Sequence, residues 1–456
     1  MPWGNVTGEG GFGRLELGVR RPWKQPGKIL DRNPGKSIDK AVLPDYNQII
    51  DFSVHEQPRF NSHKGDTFMV KHIRQRDWYA GFEQGTIRPA GEDRSLALRL
   101  TRGCAWKRCV FCRMYEKESF SVRSVDSVFQ DIDLIRTYLD RIRMIVKPGG
   151  RPDTEVIQTL YNSFEVKDRI AFNAAMDWHE TGARTITLQD MDPLVMDPLE
   201  LVRILEHVRS AFPQVNRITT TTQSRTLARM QPKALDALAR AGLSRIHLGL
   251  ESGSNRILTR SRIGATRETH IRVGSMVKEA GIELSVYVVP GLGGVELSVE
   301  HALETAAVLN RIDPHVIRFR SLAVPPVTLL AHEVERNQFE PPTDVMMVKE
   351  IRLILDSLMG VTSRVSSDSS LNLLEEVRGL LPQDQEKMIA VIDYFLELPA
   401  QEQVHFMVGR RMGYFNQLDD MKPGFELDEV KKSCLAFGIT PENVDIVIDE
   451  MKKHFV

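Results

Sequence analysis

Three of the four cysteines in this 456-residue chain fall within nine residues, Cys104-Ala-Trp-Lys-Arg-Cys109-Val-Phe-Cys112. Thiolates are soft metal ligands, and a short loop can wrap three of them around one centre. A structural zinc site takes four ligands, yet no fourth Cys or His lies nearby in sequence. Ordinary iron–sulfur clusters are also held by four cysteines. Three thiolates therefore point to an iron–sulfur cluster with one iron left open, a reactive centre rather than a sealed electron carrier.

The loop resembles that of the radical SAM superfamily, in which three cysteines are spaced three and two residues apart with an aromatic before the last. Phe111 supplies the aromatic and Cys109/Cys112 the closing pair. The first gap, Ala105 to Arg108, is four residues long, so the motif reads Cys-x4-Cys-x2-Cys. With its context Leu98-Arg-Leu-Thr-Arg-Gly-Cys104, it is similar to an oxidoreductase-like branch of that superfamily. The resemblance implies a [4Fe-4S] cluster on Cys104, Cys109 and Cys112 and S-adenosylmethionine (SAM) at the open iron. It implies radical chemistry in an anaerobic setting, with an external electron donor of the flavodoxin or ferredoxin kind.

Composition bounds the rest. The net charge is −1 and the pI near 6.9, so no global field attracts nucleic acid or anionic membrane. Few, clustered cysteines argue for a reducing compartment. The start, Met1-Pro-Trp-Gly-Asn5, has no apolar signal core, and no run approaches the roughly 20 apolar residues of a membrane span. A cytoplasmic protein without membrane contact is expected.

Residues 1–45 are rich in Gly, Pro and basic side chains, without helix or strand period, and read as a flexible arm. Residues 46–94 form a mixed pre-barrel segment. From residue 95 short apolar runs alternate with amphipathic helices: 96–100, 185–188, 218–222, 246–250, 284–289 and 316–322 are the expected strands. Asp197-Pro198 supplies an N-cap and a first-turn proline, while Gly242 and Gly281 close helices as C-cap glycines. Alternation of this kind implies an α/β fold with a parallel sheet. Six units match the partial (β/α)6 TIM-like barrel that the resemblance implies, over 95–326. The first crossover needs two helices, about 125–146 and 155–181. Residues 327–456 read as a helical C-terminal subdomain, with helices at 344–359, 385–398, 401–418 and 426–455.

Loops at the carboxyl ends of such strands gather function. The second strand ends in Gln189-Asp-Met-Asp192, where the superfamily usually grips the SAM ammonium with a Gly-Gly-Glu motif. That motif is absent here, leaving Gln189, Asp190 or Asp192 to accept those hydrogen bonds, or an aspartate to cap the next helix. The third runs into Thr221-Thr-Gln-Ser-Arg225. Arg225 can fork onto a carboxylate of SAM or simply sit on a solvated helix start. The fourth ends in Gly249-Leu-Glu-Ser-Gly253, similar to a segment common in the superfamily, which implies that Glu251 and Ser252 contact SAM. The fifth ends in Pro290-Gly-Leu-Gly-Gly294, where Gly291 lets backbone approach a flat ligand.

Side chains alternate along a strand, and here one face is polar: Arg99, His247, Gly249, Glu251, Ser285, Tyr287, Arg318 and Arg320. A lumen so lined resembles a ligand cavity, though internal ion pairs would also account for part of it. Arg318, Arg320, His247 and Tyr287 are the candidate substrate contacts, and the two arginines favour an anionic small molecule. The expected function is SAM cleavage to a 5′-deoxyadenosyl radical that abstracts hydrogen from that substrate. Radical modification of a nucleic acid or protein, and a non-catalytic iron–sulfur scaffold, are the alternatives. Iron analysis of anaerobically purified protein should give about four irons per chain, lost when Cys104, Cys109 or Cys112 becomes Ala and retained in Cys434→Ala. One zinc per chain would refute the cluster.

Overall fold

The computed structural model describes residues 79–85, 88–89, 91–146, 154–162 and 164–452. The arm expected at 1–45 and most of the segment expected at 46–94 lie outside the described residues.

The strands, in chain order, are β1 Leu96–Arg99, β2 Thr101–Arg102, β3 Ser121–Val122, β4 Thr185–Gln189 and β5 Arg217–Gln223. They continue as β6 Leu243–Glu251, β7 Glu283–Val288, β8 Val316–Phe319, β9 Arg364–Ser366 and β10 Gly379–Leu380. One sheet runs β1-β4-β5-β6-β7-β8-β9-β10, and its two ends do not meet. Every neighbouring pair is parallel except β9 with β10. The six expected strands are thus present, in the expected order, in an open partial barrel. The C-terminal region is not wholly helical: β9 and β10 extend the sheet, and they are too short to show a period in the sequence.

Apolar residues on the outward face of each strand drive this arrangement. Leu98, Ile186, Leu188, Ile218, Ile246, Leu248, Leu284, Val286 and Ile317 are buried against surrounding helices. The covering helices include Val125–Ile145, Pro198–Ala211, Pro232–Ala241, Arg267–Glu279 and Ser298–Ile312. Asp197 caps its helix by accepting from Leu199 N at 2.8 Å, with Pro198 at the first position. Gly242 takes the left-handed conformation, φ 115°. The first crossover holds three helices rather than two, because the stretch expected as one breaks into Thr154–Asn162 and Val166–Glu180. The final expected helix likewise splits at Gly438 into Phe425–Phe437 and Val444–Lys452. No described helix is long and apolar enough to cross a membrane.

Three C-terminal helices, Asp344–Asp356, Ala400–Met412 and Val444–Lys452, meet at one buried carboxylate. Asp344, 2% exposed, accepts from Arg411 at 2.5 Å and pairs with Lys452 of the last helix. Burial pushes the Asp344 carboxyl up, but Lys452 and Arg411 outweigh it and hold the group below its ordinary value. A depressed carboxyl pKa contributes stability that is present above the ordinary carboxylate range and is lost as pH falls through the folded value. Asp344→Asn strands two buried cations and should cost ~3–5 kcal/mol near neutral pH. In denaturant titrations the gap to the wild type should narrow below about pH 4; a gap independent of pH would show that the carboxylate charge is not what holds these helices.

Candidate functional site

Parallel strands end at one edge of the sheet, and the cysteine loop lies there. It leaves β2 through Gly103 (φ 72°), where a Cβ would sit 3.1 Å from Glu118 O. Val110 N donates to Ser261 O at 3.2 Å, Leu330 N to Val110 O at 2.9 Å, and Trp106 Nε1 to Arg262 O at 2.7 Å. The loop is therefore pinned to the segment after β6 and to the helix Leu329–Glu335. Cys104 and Cys109 are half-buried and Cys112 is exposed. Cys434 is buried in a C-terminal helix and acts on none of the three. Burial, followed by the charges of Glu251 and the other two thiols, pushes the Cys109 thiol up. The protein packed against Cys112 raises its thiol too, against the pull of the Met114 N–H and the Arg320 guanidinium. The three thiols, Glu251 and Arg320 thus share one electrostatic field.

Glu251 ends β6 with a left-handed backbone, φ 57°, beside a register shift against β7. Its Oε2 is buried without a hydrogen-bond partner. Burial alone pushes its carboxyl up to about 8. The side chain folds back over Gly249, where a Cβ would fall 2.2 Å from Oε1 and displace the carboxyl from this position. The Glu251 carbonyl accepts from Val289 N at 3.0 Å, and His301 Nε2 lies 3.2 Å from it. Gly253 approaches the helix Ser298–Ile312 so closely that a Cβ would meet Glu304 O at 2.1 Å.

The candidates at the end of β4 are engaged by the protein itself. Gln189 accepts from Gly85 N at 2.8 Å. Asp190 takes the guanidinium of Arg99 at 2.9 and 2.7 Å, and burial keeps its carboxyl raised despite that partner. Asp192 is buried, accepts from Thr222 and Thr226 at 2.6 and 2.5 Å, and is raised by burial to about 6. Ser252 accepts from Ser254 N at 3.1 Å within the turn after β6. Gly291 has φ 91° and donates to Glu350 Oε1 at 2.7 Å. Arg225 lies beside the cysteine loop, its guanidinium 4.1 Å from the centre of the Trp106 ring, and donates to Gln223 Oε1 at 2.6 Å.

The lumen candidates divide. His247 is fully buried, 3.3 Å from Glu92 Oε1, and burial lowers its pKa. Glu92 also takes Arg217 at 3.1 Å and Ser95 at 2.6 Å. This cluster belongs to the amino-terminal half of the strands, away from the cysteines. Tyr287 lies 6.2 Å from His247, ring to ring. Arg318 is buried and donates to Asp368 at 2.6 Å, an acid outside the six barrel strands. Glu251 therefore does not serve as the internal partner of Arg318. Arg320 is exposed at the carboxyl end of β8 and makes no side-chain hydrogen bond or ion pair among the described residues. Residues that sequence reasoning did not single out are Glu92, Asp368 and Gln223. Their contacts span 155, 50 and 119 positions, and no local pattern marks them.

Three thiols on one nine-residue loop are of the ligand type that iron–sulfur clusters take. Among the described residues no group of three or more His, Cys, Asp or Glu closes around one metal. The unpartnered Glu251 oxygen offers an acceptor for a cationic group. Residues 98–306 match the family model of the radical SAM superfamily. No curated protein matches the sequence. Among solved structures the chain is similar to archaeal Elp3 of Methanocaldococcus infernus, at 16% identity over 44% of this chain and 52% of that one, TM-score 0.36. It is similar to coproporphyrinogen III oxidase of Escherichia coli, at 14% identity over 57% and 52%, TM-score 0.37. It is also similar to the radical SAM methyltransferase TsrM of Kitasatospora setae, at 17% identity over 53% and 38%, TM-score 0.37. This chain spans about half of the first two and less of the third. On the family match, the chain carries a radical SAM superfamily domain at residues 98–306, and the cofactors of that superfamily are a [4Fe-4S] cluster and SAM.

Proposed function

We propose that this protein is a radical SAM enzyme in which Cys104, Cys109 and Cys112 hold the cluster and Glu251 receives the α-ammonium of SAM. When bound, the two cofactors supply one-electron reductive cleavage of SAM and a 5′-deoxyadenosyl radical for hydrogen abstraction. The observation that carries the reading is Glu251: a half-buried residue at the end of a central strand, beside Cys109, whose Oε2 is enclosed with neither a cation nor a hydrogen-bond donor. Leaving an acid so placed without a partner is costly, and a cationic ligand offsets that cost by pairing with it.

Arg320 supports an anionic small-molecule substrate. It sits at the same edge, its charge reaches Cys112, and it lacks an acid of its own among the described residues. Arg318, already paired with Asp368, does not add to that argument. Arg320→Met should retain substrate-independent SAM cleavage to 5′-deoxyadenosine and lose substrate-dependent turnover. Unchanged turnover of every anionic candidate that the wild type accepts would remove Arg320 from substrate recognition.

Glu251→Gln tests the main reading. A hydrogen bond to a charged group is worth ~1.5–3 kcal/mol, so SAM affinity measured by calorimetry on reconstituted protein should fall about ten- to hundredfold, with iron content unchanged. The ligand-free protein gives a second readout. A carboxyl raised to about 8 binds more protons folded than unfolded, so its presence destabilises the fold increasingly as pH rises from the ordinary carboxylate range through 8. The Tm of Glu251→Gln should match the wild type near pH 5 and exceed it at pH 9. Wild-type SAM affinity in this variant would sink the assignment.

A further inference from the structure

Cys104 differs from the other two cysteines of the loop in what donates to its sulfur. Trp106 N donates to Cys104 Sγ at 3.4 Å, and Gln223 Nε2 donates to the same sulfur at 3.8 Å from the end of β5. No side-chain N–H donates to Cys109 or Cys112 among the described residues.

The amide of Gln223 is not free to turn. Its oxygen accepts from Arg225 Nε at 2.6 Å, which aims the NH2 group at the sulfur. Arg225 is in turn stacked 4.1 Å above the Trp106 ring, a cation–π contact. Arg108 lies 4.9 Å from the same ring. Trp106 is fixed by its Nε1 bond to Arg262 O, at 2.7 Å, and by Gly264, where a Cβ would stand 2.5 Å from the indole. The intervening Ser224 is anchored by His270, Nδ1 to Oγ at 2.7 Å, both residues buried. The relay thus closes on itself: the cysteine loop supplies the tryptophan that holds the arginine that orients the glutamine that donates back to the loop.

Hydrogen bonds to cysteine sulfur and nearby charge are among the levers that set iron–sulfur potentials. An N–H donor favours the more negative, reduced form of the centre, since donors to charged acceptors strengthen with the charge. We propose that Gln223 is a positioning residue that raises the reduction potential of the cluster through its bond to Cys104, and that Arg225 and Trp106 serve to hold its amide in that orientation. The proposal rests on the cluster reading above. The electron concerned is the single one that takes the cluster from its oxidised to its reduced state, delivered by an external reductant.

The test is anaerobic potentiometric titration with dithionite, followed by EPR, of reconstituted wild type, Gln223→Leu, Gln223→Met and Arg225→Lys. Iron and sulfide are counted first; a wild type without about four of each refutes the cluster reading itself, separately from this proposal. With clusters present, loss of the amide donor should make the reduction equilibrium about tenfold less favourable, a shift of about −59 mV for one electron. Arg225→Lys keeps the charge but loses the planar fork and stack, and should shift in the same direction by less. A wild-type potential in both Gln223 variants overturns the proposal. So does loss of the cluster from both, which makes Gln223 a structural support, and so does an Arg225→Lys potential equal to the wild type, which removes the relay. A merely structural glutamine would alter iron content or Tm without moving the potential of the clusters that remain.

Discussion

Burying charge inside an open parallel sheet is the constraint around which this molecule is built. A carboxylate or guanidinium taken out of water needs a partner or changes its protonation state. Glu92 meets this with Arg217, Ser95 and His247, Asp190 with Arg99, Asp192 with two threonine hydroxyls, and Arg318 with Asp368. Asp344 meets it with Arg411 and Lys452. Against this background Glu251 stands out, because nothing in the described protein compensates it and its carboxyl is raised to about 8. A group left in that condition by an interior whose other charges are so widely paired is a candidate ligand contact, and the proposed function uses it as one.

The backbone at that point is constrained no less than the charge. Glu251 takes a left-handed φ that a non-glycine residue adopts only under tertiary control. The control comes from both sides. Gly249 leaves room for the side chain to fold back, Gly253 admits the neighbouring helix, and Val289 N fixes the carbonyl. Glu350 braces the adjoining strand end by taking Gly291 N and the Ser298 hydroxyl at 2.7 and 2.6 Å. These contacts explain why Gly249, Gly253 and Gly291 gather around the ends of β6 and β7 without invoking flexibility.

Much of this was legible in the sequence, and the boundary is physical. The six barrel strands showed because most carry an apolar outward face, as in Leu284, Val286 and Val288, and because capped helices separate them. The cysteine loop showed because its ligands are adjacent in the chain. Strands β9 and β10, three and two residues long, fall below any detectable period. Partners of buried charges were harder still: Asp368 lies 50 residues from Arg318 and Glu92 lies 155 from His247, and an isolated acid looks the same whether it faces solvent or a guanidinium. The polar lumen face was therefore legible as polar, while its division into internal ion pairs and open groups needed the folded chain.

That division also gives the cysteine loop a polarity. The field at Cys104 contains N–H donors and, through Arg225, a neighbouring positive charge. The field at Cys109 is dominated by burial and by the carboxyl of Glu251, and that at Cys112 by burial with the Met114 N–H and Arg320 opposing. A centre held by three such thiolates would have a side-chain amide donor at Cys104 alone, with the carboxyl of Glu251 and the guanidinium of Arg320 on the side of Cys109 and Cys112. On the reading proposed, the donors on Cys104 act on the electron entering the centre, whereas Glu251 and Arg320 act on what binds beside it. The two tasks fall to different strands, β5 for the first and β6 with β8 for the second. A parallel sheet makes that separation available because each strand end contributes its own loop to the same edge.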